Sequence, residues 1–183
     1  MTLELNSKQK VILLAGPSGA GKSTIGRLVA RNENWVHLSE DDVWSELDRI
    51  PRSLRTEEEK KIVQPKAIQY ILNALQEDKS ILFEFIIYED PPQPLMYYQS
   101  KLKELGVLFE TRVLLATVDE LLKRQEIRGR EFERDIEAQR LDAQLQVDSL
   151  DCDFVNSNWV VYSTNFTAEE IYASYFASLV EDS

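Results

Sequence analysis

Short apolar runs alternate with longer amphipathic stretches along this chain of 183 residues. The apolar runs have the length of buried strands, and we place them at about 10–15, 35–38, 80–87, 110–116 and 159–163. The stretches between them are long enough for helices, which is the pattern of repeated βα units. The sequence therefore predicts an α/β fold of three layers, with a mostly parallel five-stranded sheet between helices.

Three capping signals mark where helices begin. Each fits the Ser/Thr-x-x-Glu box, in which two side chains bond each other's backbone amides: Thr56 with Glu59, Thr117 with Glu120, and Thr167 with Glu170. The segment 89–94 (EDPPQP) is predicted to be a non-helical loop, because proline lacks an amide hydrogen and restricts the residue before it. Without a repeat, a low-complexity tract or a linker-like change of composition, we expect one domain over 1–183.

Charge and composition narrow the function classes. Lys and Arg number 21 against 32 Asp and Glu, and the net charge of −11 repels nucleic acid and anionic lipid. We therefore expect neither a nucleic acid nor a membrane as partner. A single cysteine, Cys152, and the absence of an export signal at Met1 favour a reducing cytoplasm. The longest apolar runs are too short to span a bilayer.

The segment Gly16–Thr24 reads GPSGAGKST and fits the phosphate-binding loop Gly-x4-Gly-Lys-Ser/Thr. It follows a predicted strand and precedes a predicted helix at 25–30, so backbone amides and the helix N-terminus can surround phosphate. The motif predicts binding of ATP with Mg²⁺. In this interpretation Lys22 is a solvent-facing ligand of the transferred phosphate, and Ser23 ligates the metal. The predicted nucleotide ligands of the loop are Gly16, Ser18, Gly19, Ala20, Gly21, Lys22, Ser23 and Thr24.

A phosphate loop occurs in switches, motors and kinases, so other residues must decide among them. The chain contains neither an Asn-Lys-x-Asp guanine-reading motif nor an Asp-x-x-Gly switch, which disfavours a regulatory GTPase. Residues 37–44 (HLSEDDVW) resemble the His-Leu-Ser-x-x-Asp segment of adenylate kinases and the acidic acceptor-facing segment of gluconate and adenylylsulfate kinases. Residues 163–170 are similar to the loop that packs on adenine in such enzymes.

The chain thus resembles the nucleoside monophosphate kinase-like group of small phosphotransferases. The resemblance implies an ATP- and Mg²⁺-dependent kinase that acts on a hydroxyl of a small molecule. It also implies that a carboxylate faces the acceptor and accepts its hydroxyl proton, for which Asp41 is the favoured residue and Asp42 and Glu84 are the alternatives. Glu84, at the end of the third strand, is a candidate for orienting the acceptor or a metal-bound water.

Two departures from the family bear on the acceptor. Adenylate kinases hold the acceptor phosphate with an arginine where this chain has Trp44. The acceptor side of the predicted site is acidic, which favours a neutral or cationic, non-phosphorylated acceptor. Its six carboxylates are Glu40, Asp41, Asp42, Glu84, Glu89 and Asp90. Three downstream arginines are either an anion site or, as we favour, a solvated helix face: Arg49, Arg52 and Arg55. Trp44 and Tyr88 are candidates for an acceptor pocket or for ordinary packing.

An arginine-rich segment resembles the lid of these kinases and, in part, that of deoxynucleoside kinases. Arg124 and Arg128 are four residues apart and share one helix face, and Gly129 can end the helix before Arg130. We predict a lid at about 124–140, in which Arg124 contacts the nucleotide. The predicted catalytic residues are Lys22, Asp41, Arg128 and Arg130. The alternative is a helix surface with interspersed Arg–Glu pairs.

Other interpretations remain open at this point. Deoxynucleoside kinases usually have an arginine after the acidic residue of the third strand, whereas Phe85 follows Glu84 here. Because this arginine is missing, a nucleoside or nucleotide kinase is the second candidate and not the first. A third, from another class, is a regulatory ATP-binding module with slow hydrolysis. His37, the only histidine, is interpreted as a packed residue and not as a base.

Overall fold

A computed structural model of the chain describes residues 9–48, 55–129 and 135–181. The strands are β1 (Val11–Ala15), β2 (Trp35–Ser39), β3 (Ser80–Phe85), β4 (Phe109–Leu115) and β5 (Val160–Tyr162). The helices are α1 (Lys22–Val29), α2 (Glu40–Ser45), α3 (Glu57–Gln76), α4 (Gln93–Glu104), α5 (Val118–Arg128), α6 (Ile136–Asp148), α7 (Ala168–Tyr175) and α8 (Ala177–Glu181). Within these ranges, no helix combines the length and the apolar character needed to cross a membrane.

The five strands form one sheet in the order β2-β3-β1-β4-β5, and every neighbouring pair is parallel. The central strand β1 is buried along its whole length, as its continuous apolar sequence predicts. In a parallel sheet all strands end at one edge. The segments that follow β1, β2 and β3 therefore meet there, and these are the segments that carry the predicted site.

Alternate residues of β1 point into two separate cores, one on each side of the sheet. Val11, Leu13 and Ala15 pack in a core with side chains of α2, α3 and α4. Ile12 and Leu14 pack in the opposite core, with side chains of α1, α5, α6, α7 and α8. The predicted α/β fold of three layers is thus confirmed.

The three capping signals lie at helix starts, as predicted. The boxes at Thr56 (α3) and Thr167 (α7) are complete in both directions. At α5, the Thr117 side chain accepts a bond from the amide of Glu120, but the Glu120 carboxylate instead binds Arg124. A salt bridge therefore takes the place of the second bond of the box.

The prediction that 89–94 is entirely non-helical is wrong at its end. Helix α4 begins at Gln93, with Pro92 at its N-cap and Pro94 in its first turn. The amides of a first helical turn have no intrahelical acceptor, so proline costs little there, and its fixed backbone angle suits a helix start.

Candidate active site

The phosphate loop connects β1 to α1 and crosses close to β4. The backbone angle φ of Gly16 is +151°, and a Cβ at this position would lie 2.4 Å from the carbonyl oxygen of Leu114. Glycine is therefore required at Gly16, because any side chain would force the loop away from β4. The loop leads into α1 at Lys22, and amides of the first helical turn are directed to its open side.

Lys22 is not solvent-facing, which corrects our expectation. The residue is only 8% exposed. Its Nζ donates hydrogen bonds to the carbonyl oxygens of Gly16 and Pro17, at 2.9 and 3.0 Å. The loop thus wraps around its own lysine and holds the ammonium group inside the curve where the motif predicts phosphate.

Ser23 and Glu84 join the loop to the end of β3. The Ser23 hydroxyl donates a hydrogen bond of 2.7 Å to Glu84 Oε1. Glu84 is 5% exposed, and its second oxygen, Oε2, is buried without a hydrogen-bond partner. A buried carboxylate oxygen of this kind is a ready acceptor for a metal-bound water or a substrate hydroxyl.

The charge of Glu84 is stabilised by its neighbours. Burial acts to raise the pKa of this carboxyl, but His37, Lys22 and the Ser23 hydroxyl outweigh it, so the pKa lies below its ordinary value. His37 Nε2 lies 3.2 Å from Glu84 Oε1 without being aligned for a hydrogen bond. Glu84 is therefore an anion at neutral pH, beside the two predicted phosphate and metal ligands.

His37 is fixed in place by close packing against α1. A Cβ at Gly26 would lie 2.3 Å from the His37 ring, so glycine is the residue that lets α1 and β2 approach this closely. The sequence interpretation of His37 as a packed residue agrees with this position. Its place next to Glu84 was not predicted.

Asp41 lies at the same edge of the sheet, in the first turn of α2. The Ser39 side chain caps this helix by accepting a bond from the Asp41 amide. Asp41 Oδ1 accepts a hydrogen bond of 2.6 Å from Arg55 Nη2. The Arg55 guanidinium also lies over the Trp44 ring, 4.9 Å from its centre.

These contacts correct our expectation for Arg55 and decide between the two alternatives for Trp44. The Arg55 side chain is only 7% exposed, so it is not part of a solvated helix face. Arg49 and Arg52 lie outside the described residues. Trp44 is 2% exposed and serves as a buried support for Arg55, while Tyr88 is half-buried.

The acceptor side is less acidic than the sequence suggests. Glu40 is buried, and its carboxylate accepts hydrogen bonds from Tyr98 and Trp44. Burial raises the pKa of Glu40 despite these bonds. Glu89 pairs with Lys60 at 3.2 Å, just as Asp41 pairs with Arg55. Much of the predicted negative charge is thus buried or neutralised.

The two described lid arginines reach the phosphate loop, but by different contacts. Arg124 donates to the carbonyl oxygens of Ala20 (3.3 Å) and Ser163 (2.7 Å), and it also pairs with Glu120. Arg128 Nη2 donates to the Ser18 hydroxyl at 3.1 Å. Both arginines share one face of α5, as predicted, and the structure directs this face to the loop. Arg130 lies outside the described residues, so its role stays a prediction.

Two adjoining clefts occupy this end of the molecule. The larger, about 380 Å³, brings together the phosphate loop, the ends of β2 and β3, and α5. Its polar lining includes Lys22, Ser23, Asp41, Glu84 and Arg128. The smaller, about 260 Å³, is mainly apolar and lies between α1 and the segment that includes Phe166. Arg124 lines both clefts.

Sequence reasoning missed two glutamines that contact the loop, Gln125 and Gln146. Gln125 donates to the Ser18 carbonyl oxygen (2.8 Å), and Gln146 accepts from the Ser18 amide (2.7 Å). The sequence does contain a signal for them. A glutamine on the core-facing side of a helix needs a polar partner inside the protein. No metal-binding group of three or more His, Cys, Asp or Glu side chains occurs in the described part of the chain.

This fold and this loop define a three-layer α/β P-loop NTPase domain. Residues 11–149 match the AAA_33 family, whose description is AAA domain. The chain belongs to this P-loop kinase-like family, and the fold implies nucleotide binding. No curated protein sequence matches the chain.

Solved structures share the fold at low sequence identity. A tunicamycin resistance protein from Deinococcus radiodurans superposes with a TM-score of 0.64 at 15% identity, over 92% of this chain and 96% of its own. A gluconokinase from Sinorhizobium meliloti 1021 gives 0.62 at 16% identity, over 96% and 94%. A chain of the Pnkp1/Rnl/Hen1 RNA repair complex gives 0.57 at 20% identity over 82% of this chain, which spans about half (49%) of it.

Proposed function

We propose that this protein is a kinase that transfers the terminal phosphoryl group of ATP, with Mg²⁺, to a hydroxyl of a small molecule. One observation carries the proposal: a single cleft is lined by the loop lysine, a serine–carboxylate pair, a carboxylate at the end of β2, and an arginine from α5. Phosphoryl transfer needs positioned charge and little covalent chemistry from the protein, and this lining supplies the charge.

Each residue of the cleft has a role that follows from its position. Lys22 and the loop amides bind the triphosphate, with Lys22 exchanging its carbonyl partners for phosphate oxygens. Ser23 would be the protein's hydroxyl ligand for the metal, and Glu84, bonded to Ser23, would orient the metal's surroundings by accepting a hydrogen bond through Oε2. When bound, Mg²⁺ neutralises charge on the phosphates and orients them. Arg128 reaches the open side of the loop, where it neutralises charge that develops during transfer.

Asp41 accepts the proton of the acceptor hydroxyl in this proposal. It is the partly exposed carboxylate at the acceptor end, with 39% of its side chain accessible, and Arg55 holds one of its oxygens. The acceptor enters between Asp41 and the end of β3, where Phe85 and Ile86 add an apolar wall. A small organic hydroxyl compound fits this lining of charged and apolar side chains.

The adenine base occupies the smaller, apolar cleft next to Phe166 in this proposal, with Arg124 between base and phosphates. A single domain, a cytoplasmic location, and the absence of nucleic acid and membrane partners stay predictions. They rest on the composition, the single cysteine and the net charge of −11.

The test is a screen for acceptor-stimulated ADP formation with purified protein, ATP and Mg²⁺. The library contains sugars and sugar acids, nucleosides and aminoglycoside-like compounds, and the Lys22→Ala variant controls for contaminating kinases. We expect turnover to rise strongly with one class of small acceptor and a phosphorylated product to appear in mass spectrometry. Stimulation by nucleosides alone would indicate a nucleoside kinase. Stimulation only by a macromolecule would refute the proposal and favour a regulatory module.

A further inference from the structure

Ser18, the third residue of the phosphate loop, is held from two helices that follow it by more than a hundred residues. From α5, Gln125 Nε2 donates to the Ser18 carbonyl oxygen at 2.8 Å. From α6, Gln146 Oε1 accepts from the Ser18 amide at 2.7 Å. Both backbone polar groups of one loop residue are therefore bonded to side chains of the protein interior.

The two glutamines are buried, which distinguishes them from surface residues that touch the loop by chance. Gln125 is 4% exposed and Gln146 is 1% exposed. Gln146 is itself oriented by a hydrogen bond from its Nε2 to Asp142 Oδ2. Buried amide side chains with these bonds have one low-energy orientation, so they fix the backbone of Ser18 at both its donor and its acceptor.

The bonds also determine which loop amides face the phosphates. Because the Ser18 amide donates to Gln146, it is not available to a phosphate oxygen while this bond is present. The Ser18 hydroxyl accepts a bond from Arg128, one helical turn after Gln125 on α5. Ser18 thus connects the loop's backbone geometry to a predicted lid arginine.

We propose that Gln125 and Gln146 are positioning residues that hold the phosphate loop in its triphosphate-binding geometry through Ser18. They touch neither nucleotide nor acceptor and act by reducing the number of conformations the loop adopts before binding. The proposal rests on the nucleotide-binding part of the proposed function. It adds a role for two residues that lie outside the phosphate-loop motif.

The test measures binding of a fluorescent ATP analogue with MgCl₂, together with thermal melting, for Gln146→Met and Gln125→Met. Methionine keeps the length of glutamine and removes the hydrogen bond. Gln146→Met leaves the half-buried Ser18 amide without this partner, so we expect about tenfold weaker binding. Gln125→Met leaves only the Ser18 carbonyl acceptor without this partner, and we expect about threefold weaker binding. The matched control is Gln144→Met on the exposed side of α6, where the glutamine bonds Asp148 and binding should stay within about twofold.

A lowered melting temperature with unchanged affinity in both Gln146→Met and Gln125→Met would show that the glutamines only support the fold, and it would overturn the proposal. If Gln146→Met does not fold, Gln125→Met alone tests the proposal, and wild-type affinity in that variant would overturn it. Wild-type binding of the analogue is measured first. Its absence would contradict the proposed function itself, whereas normal wild-type binding with unaffected variants contradicts only the role of the glutamines.

Discussion

Replacing Glu84 with glutamine separates the charge of this carboxylate from its shape. Glutamine has the same size and can still accept the Ser23 hydrogen bond, which is 2.7 Å long in the wild type. The variant loses the negative charge next to Lys22 and places an amide group where Glu84 Oε2 is buried without a partner. If Glu84 orients the metal-bound water, turnover must fall although the cleft keeps its form.

The expected magnitude follows from these contacts. A hydrogen bond to a charged group contributes about 1.5–3 kcal/mol, and about 1.4 kcal/mol corresponds to tenfold in rate. We therefore expect Glu84→Gln to lower acceptor-stimulated turnover by about tenfold to a hundredfold. The assay is ADP formation over a Mg²⁺ titration, with Glu89→Gln as a matched control. Glu89 is a carboxylate of the segment after β3 that pairs with Lys60, and we expect its variant to stay within about twofold.

Melting as a function of pH gives an independent measurement. The pKa of Glu84 is lowered from 4.5, so its ionised form contributes stability at neutral pH that is lost as pH falls through the folded-state pKa. The difference in melting temperature between wild type and Glu84→Gln should therefore shrink below about pH 4.5. Turnover within twofold of wild type, or a melting difference that is the same at pH 7 and pH 4, would refute the reasoning.

Three further substitutions test the remaining roles. Lys22→Ala should lower turnover by about a hundredfold or more while melting remains cooperative, and near-normal turnover in a kinetic assay would contradict the loop assignment. Asp41→Asn should slow single-turnover transfer by about a hundredfold to ten-thousandfold while ATP still binds. Asp42→Asn is its control, since Asp42 lies on the exposed side of α2. Transfer at the wild-type rate in both variants would remove Asp41 from the mechanism. Arg128→Gln should lower turnover by about a thousandfold with little change in ATP affinity, whereas an effect within twofold would identify ordinary helix surface.

The order of the elements and the phosphate loop were readable from sequence because they depend on local spacing. Strand and helix periods, capping pairs and the Gly-x4-Gly-Lys-Ser motif each involve residues within a few positions of one another. Two complete capping boxes and the strand positions were therefore predicted closely. The start of α4 was missed because proline disfavours a helix interior but is accepted in its first turn.

Partners that lie far apart in the chain were decided only by the tertiary structure. Nothing in the sequence near Asp41 indicates that Arg55 would be its ion-pair partner or that Arg55 would be buried over Trp44. Likewise, Ser18 and Gln146 are 128 positions apart, and their contact depends on how α6 packs next to the loop. The sequence by itself determined which chemical groups the site contains. Packing determined which of them are exposed, paired or held, because burial and charge pairing depend on neighbours brought together by the sheet.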